Sequence, residues 1–165
     1  FDHMLEAREK GVIFDLGHGA GSFWFRNAVP AIQGGFPPDS ISTDLHMGNI
    51  NGPVVSMLNV MSKCMSIGMP FQEIIMRSTV TPAKEIGHPE LGTLGMGGEA
   101  DIAVLKHSKG DFGFTDCGGT KMTGSDKIEC LMTIRAGSVV YDPTGLSVPD
   151  WKDAPSSYWE TGYIW

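Results

Sequence analysis

The sequence predicts a mixed α/β fold, and three observations carry that expectation. A short apolar run without alternation, Val12-Ile13-Phe14-Asp15-Leu16, lies between Gly11 and Gly17, as suits a strand covered on both faces of a parallel sheet. Apolar residues then recur at helical spacing, first at Trp24, Ala28 and Ile32, and again at Val54, Met57, Leu58, Met61 and Met65. Beyond Gly87 the texture changes to glycine-dense turns between short β-prone segments. Strand, loop and helix in repetition predict βα units of a parallel sheet, with a smaller β region behind them.

Each element has its own signals. Phe1, Met4 and Leu5 share a helical face, charged residues follow, and Gly11 is a stop. A start inside such a pattern, without an initiator Met, reads as the last turns of a helix and so as a piece of a longer protein. After the first strand comes the loop Gly17-His18-Gly19-Ala20-Gly21, with Ser22 placed to cap the next helix. That helix is expected to bend at Pro30 and to end at Gly34-Gly35. Phe36-Pro37-Pro38-Asp39 is a turn, and residues 40–43 lead into a second short strand ending in Asp44-Leu45-His46. The loop 47–53 precedes the methionine-rich helix, which Gly68 ends. Pro70 opens another helix with Phe71, Ile74 and Ile75 inward. Thr81-Pro82 fits a cap followed by proline at the first helical position, and Gly87 closes that short helix. In the β region, strands are expected at 101–105, around 112–114, at 128–131, 133–134 and 139–141, with Ala136-Gly137 as a hairpin turn. Trp151, Tyr158, Trp159, Tyr163 and Trp165 form an aromatic tail. The organisation is therefore 1–87, 88–150 and a tail 151–165.

Composition excludes several classes. With 41% hydrophobic and 19% charged residues among 165, the chain is an ordinary globular one rather than disordered. A net charge of −7 argues against nucleic acid and anionic membranes as partners. No run of apolar residues is long enough for a membrane helix, and the N-terminus lacks a leader pattern. The three cysteines, Cys64, Cys117 and Cys130, form no CxxC pair, so reduced thiols in a cytoplasmic protein are expected.

In a parallel α/β fold, chemistry gathers where strands end at their C-terminal side. Two places qualify: the glycine loop holding His18, and Asp44 with His46 two residues on. A carboxylate past a strand is often only a loop acceptor, and His18 between glycines fits no phosphate-loop pattern. His3, His88 and His107 sit in polar surroundings and are expected to be solvated, and the methionine stripe is expected to be core.

The wording of the sequence adds to this. Phe14-Asp15-Leu16-Gly17-His18-Gly19-Ala20-Gly21-Ser22-Phe23 and Gly35-Phe36-Pro37-Pro38-Asp39-Ser40-Ile41-Ser42-Thr43-Asp44-Leu45-His46 resemble barrel strands seven and eight of the amidohydrolase superfamily, in its deacetylase/dihydroorotase-like branch. Thr81-Pro82-Ala83-Lys84, the stretch from Gly92 to Val104, and Val139-Val140-Tyr141-Asp142 are similar to that superfamily's return into its small β domain. The resemblance implies the last two βα units of a (β/α)8 TIM-type barrel plus C-terminal strands of a small β-sandwich domain. It implies a binuclear metal site, usually two zinc ions, held by an HxH pair, a carboxylated lysine, further histidines and one aspartate. Only the aspartate maps here, as metal ligand and catalytic proton acceptor at Asp44, and the chain has no HxH pair. One carboxylate does not hold a catalytic zinc, so this piece alone is expected to be inactive. His18, His46, Gly19 and Gly21 are expected at the substrate, a small acidic acyl compound or a cyclic amide. The alternative is a non-catalytic binding or assembly module on the same scaffold, and the aromatic tail leaves a homo-oligomer open.

Overall fold

The computed structural model describes residues 1–159. It opens with helix α1 (Asp2–Glu9), whose Gly11 follows at φ 89°, a backbone that suits glycine. Arg8 docks this helix. Its guanidinium donates to the Pro37 carbonyl at 2.7 Å and to Asp39 at 3.2 Å, over the Phe36 ring at 3.9 Å. Strand β1 (Asp15–Gly17) pairs in parallel with β2 (Ser40–Ser42), and helix α2 (Phe25–Gln33) makes the crossover between them. The Ser40 and Ser42 hydroxyls both donate to the Asp15 carboxylate, tying the strand pair by its side chains as well as its ladder.

Three expectations for this half are corrected. The first strand covers 15–17 rather than 12–16, and Val12 and Ile13 lie exposed, because β1 has one strand neighbour among the described residues. The second strand stops at Ser42, and Asp44 turns off it in a left-handed conformation at φ 48°. Ser22 does not cap α2. The helix begins after Trp24, and its Phe25 N–H is met by Asp116, 91 residues away.

Helix α3 (Met57–Ile67) is the centre of the core. Ser56 caps it, accepting from the Asn59 N–H at 3.2 Å, and Gly68 ends it at φ 114°. Val60 and Cys64 lie on the buried face against Ile41, Val54, Met69, Ile74 and Ile128, while Ile67 packs against Phe23, Phe25 and Phe114. Each fully buried aliphatic side chain contributes about 1.5–3 kcal/mol. Helix α4 (Phe71–Ser78) buries Ile74, and α5 (Val80–Glu85) follows with Thr79 before its first turn. Thr81-Pro82 therefore lies inside α5 rather than at its start. Proline is accepted there because the first helical turn leaves its N–H groups unpaired.

The β region is one antiparallel sheet in the order β3 (Ile102–Thr115), β4 (Lys121–Arg135), β5 (Ser138–Tyr141). The short strands expected here fuse into two long ones, interrupted by register shifts between Val104 and Leu105 and between Lys109 and Phe112. Gly124 lets α3 reach the sheet, since a Cβ there would fall 2.0 Å from the Ser66 hydroxyl. The Ile128 N–H donates to Ser62 across the same contact at 2.9 Å. Ala136-Gly137 forms the expected turn, both residues at positive φ (47° and 78°). His107 is exposed, as expected, and stacks on Phe71 and pairs with Asp126 at 2.5 Å. All three cysteines are free thiols. Of the aromatic tail, Trp151 and Tyr158 are exposed, while Tyr163 and Trp165 lie outside the described residues. Among the described residues, no helix is long and apolar enough to cross a membrane.

Candidate functional site

Both candidate segments come off the same end of the β1–β2 pair and meet there. The Gly19 N–H donates to the Thr43 carbonyl at 3.0 Å, so the glycine loop continues the sheet pairing beyond the strands. Gly19 is held at φ 52°, and a Cβ on it would fall 2.8 Å from Asp44 Oδ2. The Asp44 carboxylate therefore lies directly against the glycine backbone. Among the described residues no hydrogen bond ends on it, which leaves its oxygens open to a ligand.

Asn49 shapes the loop that carries it. This fully buried side chain donates from Nδ2 to the Asp44 carbonyl and accepts the His46 N–H at Oδ1, both at 2.8 Å. The exposed His46 ring is set by the Gly48 N–H, which donates to Nδ1 at 3.1 Å. The neutral ring then carries its proton on Nε2. Gly21 is exposed in the companion loop, and its carbonyl accepts from the Trp24 indole at 2.9 Å.

His18 was expected to face a substrate, but here it is fully buried beneath that loop. It stacks on Phe23 at 4.7 Å, and Nε2 is 2.8 Å from the Lys63 ammonium. An ammonium only donates, so Nε2 accepts and Nδ1 carries the proton toward the Gly19 carbonyl at 3.0 Å. Burial, joined by the neighbouring lysine charge, holds the His18 pKa below the ordinary imidazole value. Lys63 is equally buried; it also donates to the Pro53 carbonyl, and desolvation lowers its pKa to about 8.

The tip of the β3–β4 hairpin closes the other side. The Cys117 N–H donates to the Phe23 carbonyl at 3.0 Å, and its Sγ lies 3.6 Å from the His18 and Gly19 carbonyls. Asp116, 3% exposed, accepts from the N–H groups of Phe25, Gly118 and Thr120 at 2.9–3.0 Å. Burial opposes its ionisation, but these donors outweigh it and its pKa is lowered.

Sequence reasoning missed Asn49, Lys63, Asp116 and Cys117. Lys63 had a signal: it shares the helical phase of Val60, Cys64 and Ile67, where a charge is out of place. Asn49, Asp116 and Cys117 had none, since their partners are loops brought to them by the fold. Asp44, the residue expected to bind a metal, is not joined by two further metal-binding side chains among the described residues.

The mixed α/β chain matches hydrolases over part of their length. The chain is 35% identical over 142 residues to a deacetylase of Enterococcus faecalis, covering 86% of this chain and 38% of that protein. It is 39% identical over 110 residues to a deacetylase of Brucella anthropi, covering 67% of this chain and 27% of that one. Among solved structures, an adenine deaminase superposes with TM-score 0.82 at 35% identity, and a dihydroorotase with TM-score 0.78 at 32%. These cover 86% and 85% of this chain but 39% and 38% of the solved chains, so the present chain spans well under half of the relatives it matches. No protein-family model matches. The chain belongs to the amidohydrolase superfamily, among its deacetylase and dihydroorotase-like members.

Proposed function

We propose that this chain supplies the last two βα units of a (β/α)8 barrel, and part of its small β domain, to a metal-dependent hydrolase of amides or esters. The observation that carries the reading is the free Asp44 carboxylate, just past a parallel strand and pressed against the Gly19 backbone. Support also comes from the apolar groove of about 350 Å³ lined by Phe14, Leu16, Trp24 and Ile32, which a neighbouring barrel unit would cover. A single carboxylate fits a metal only in part, because a catalytic zinc needs about three protein ligands. The missing ligands belong to other units of the barrel, and the isolated chain is inactive in this reading.

Asp44 would hold a divalent metal, zinc in this reading and one of two. Such a pair, when bound, would acidify water and polarise a carbonyl. The Asp44 carboxylate would be placed to accept a proton and pass it to the leaving group. The exposed His46 ring, with its proton on Nε2, would donate to an oxygen of the substrate, and the Gly19–Gly21 backbone borders it. His18 acts from beneath rather than at the substrate. The substrate is a small acidic acyl compound or a cyclic amide.

The test is Asp44→Asn in the metal-loaded protein that carries this chain. The expected result is loss of metal by elemental analysis, with kcat lower by about a hundredfold or more. Full metal occupancy with unchanged turnover overturns the reading. A wild-type protein with no bound metal and no hydrolysis points instead to a binding or assembly module.

A further inference from the structure

The geometry points to Lys63 as a positioning residue for Asp44. We infer that its buried ammonium ties together the two loops that form the site; the inference rests on the reading of Asp44 given above. One Nζ reaches His18 Nε2 in the loop after β1 and the Pro53 carbonyl at the far end of the loop after β2. From His18 the next residue is Gly19, whose N–H is fixed on Thr43 and whose α-carbon faces Asp44 Oδ2. From Pro53 the chain runs back to Asn49, which grips Asp44 and His46. A single side chain on the rigid helix α3 therefore fixes both walls of the site, and it touches neither Asp44 nor the open face.

Stability alone does not account for this arrangement. Lys63 stands on the apolar face between Val60 and Ile67, and removing an ammonium from water is costly unless it is fully paired. A methionine would fill the same stem volume without a charge to desolvate. The carbonyl and imidazole it meets are neutral acceptors. What the lysine supplies and a methionine cannot is directional donation to two loops at once. A misplacement of about 1 Å at a catalytic group costs on the order of a hundredfold in rate, so a strut of this kind affects turnover more than binding.

The experiment compares wild type with Lys63→Met in the metal-loaded protein, reading melting temperature, kcat and KM separately, and hydrogen exchange of the Gly19 amide. Lys63→Met is expected to keep or raise the melting temperature while kcat falls about tenfold to a hundredfold with KM within about threefold. The Gly19 amide is expected to exchange about tenfold faster. Lys63→Gln, which keeps one donor, is expected to recover part of the kcat, and it replaces Lys63→Met if that variant does not fold. Unchanged Gly19 exchange in either variant overturns the proposal, as does a fall in kcat that only follows a fall in melting temperature. If the wild type shows no hydrolysis, the hydrolase reading fails on its own. The Gly19 exchange still decides whether Lys63 holds the loop.

Discussion

Gly19 shows how much one missing Cβ can decide. At φ 52° a side chain costs about 1 kcal/mol through the backbone alone, and its first carbon would fall 2.8 Å from Asp44 Oδ2. Either the loop or the carboxylate must move. We expect Gly19→Ala to lower stability by about 1–3 kcal/mol and to lower metal occupancy at Asp44, read by denaturant unfolding and elemental analysis. Retained occupancy would show that Asp44 does not depend on the close approach of this backbone. Gly21, exposed in the same loop with nothing near a Cβ and no positive φ, is the internal control: Gly21→Ala is expected to change stability by less than about 0.5 kcal/mol.

At the scale of elements, the tip of the β3–β4 hairpin acts as the N-terminal cap of α2. Asp116 meets the Phe25 N–H, and Gly118 gives way to the Trp24 ring, against which a Cβ would come to 2.2 Å. The β region and the first βα unit are thus joined by specific polar contacts as well as by the apolar cluster of Phe23, Phe25, Ile67 and Phe114. Replacing Asp116 by Ala removes the acceptor for three N–H groups at once. The expected loss is about 2–4 kcal/mol, at or above the upper end for a single cap because three donors are left behind. Urea unfolding measures it; a loss below about 0.5 kcal/mol would mean that the hairpin tip is only resting on the helix.

At the scale of the whole molecule, the buried His18–Lys63 pair sets the sign of the pH response. Both are bases whose folded pKa is lowered, so in the intervals concerned the unfolded chain binds more protons. Stability therefore falls as pH drops through 6.5, where the unfolded imidazole gains a proton that the folded one resists. It rises between about 8 and 10.5, where the folded lysine has lost its proton and the unfolded lysine has not. The alkaline rise is on the order of 3 kcal/mol at most. Unfolding followed against pH should show it in the wild type and not in Lys63→Met; an equal rise in both would place its source elsewhere.

Much of this molecule could be read from its residues in order. The helix 57–67 followed from apolar spacing, with Gly68 supplying its left-handed end, and the Ala136-Gly137 turn followed from a glycine that tolerates positive φ. The βα order, the β region behind it, and Asp44 at the end of a strand were legible for the same reason: each is written within a window of a few residues, where local sterics and periodicity govern. Burial and partnership are not local. The apolar pair Val12-Ile13 had the composition of a covered strand yet lies exposed, because coverage depends on which strands stand beside it. His18 looked open between two glycines and is sealed, because α3 brings a lysine to it from 45 positions away and the hairpin brings a cysteine from 99. The sequence by itself determined the order of the elements and marked Asp44 as a candidate ligand. Only the tertiary structure decided that Asp44 rests on Gly19 and that a buried lysine holds both loops, since side-chain pairing across such separations depends on three-dimensional proximity that no local pattern encodes.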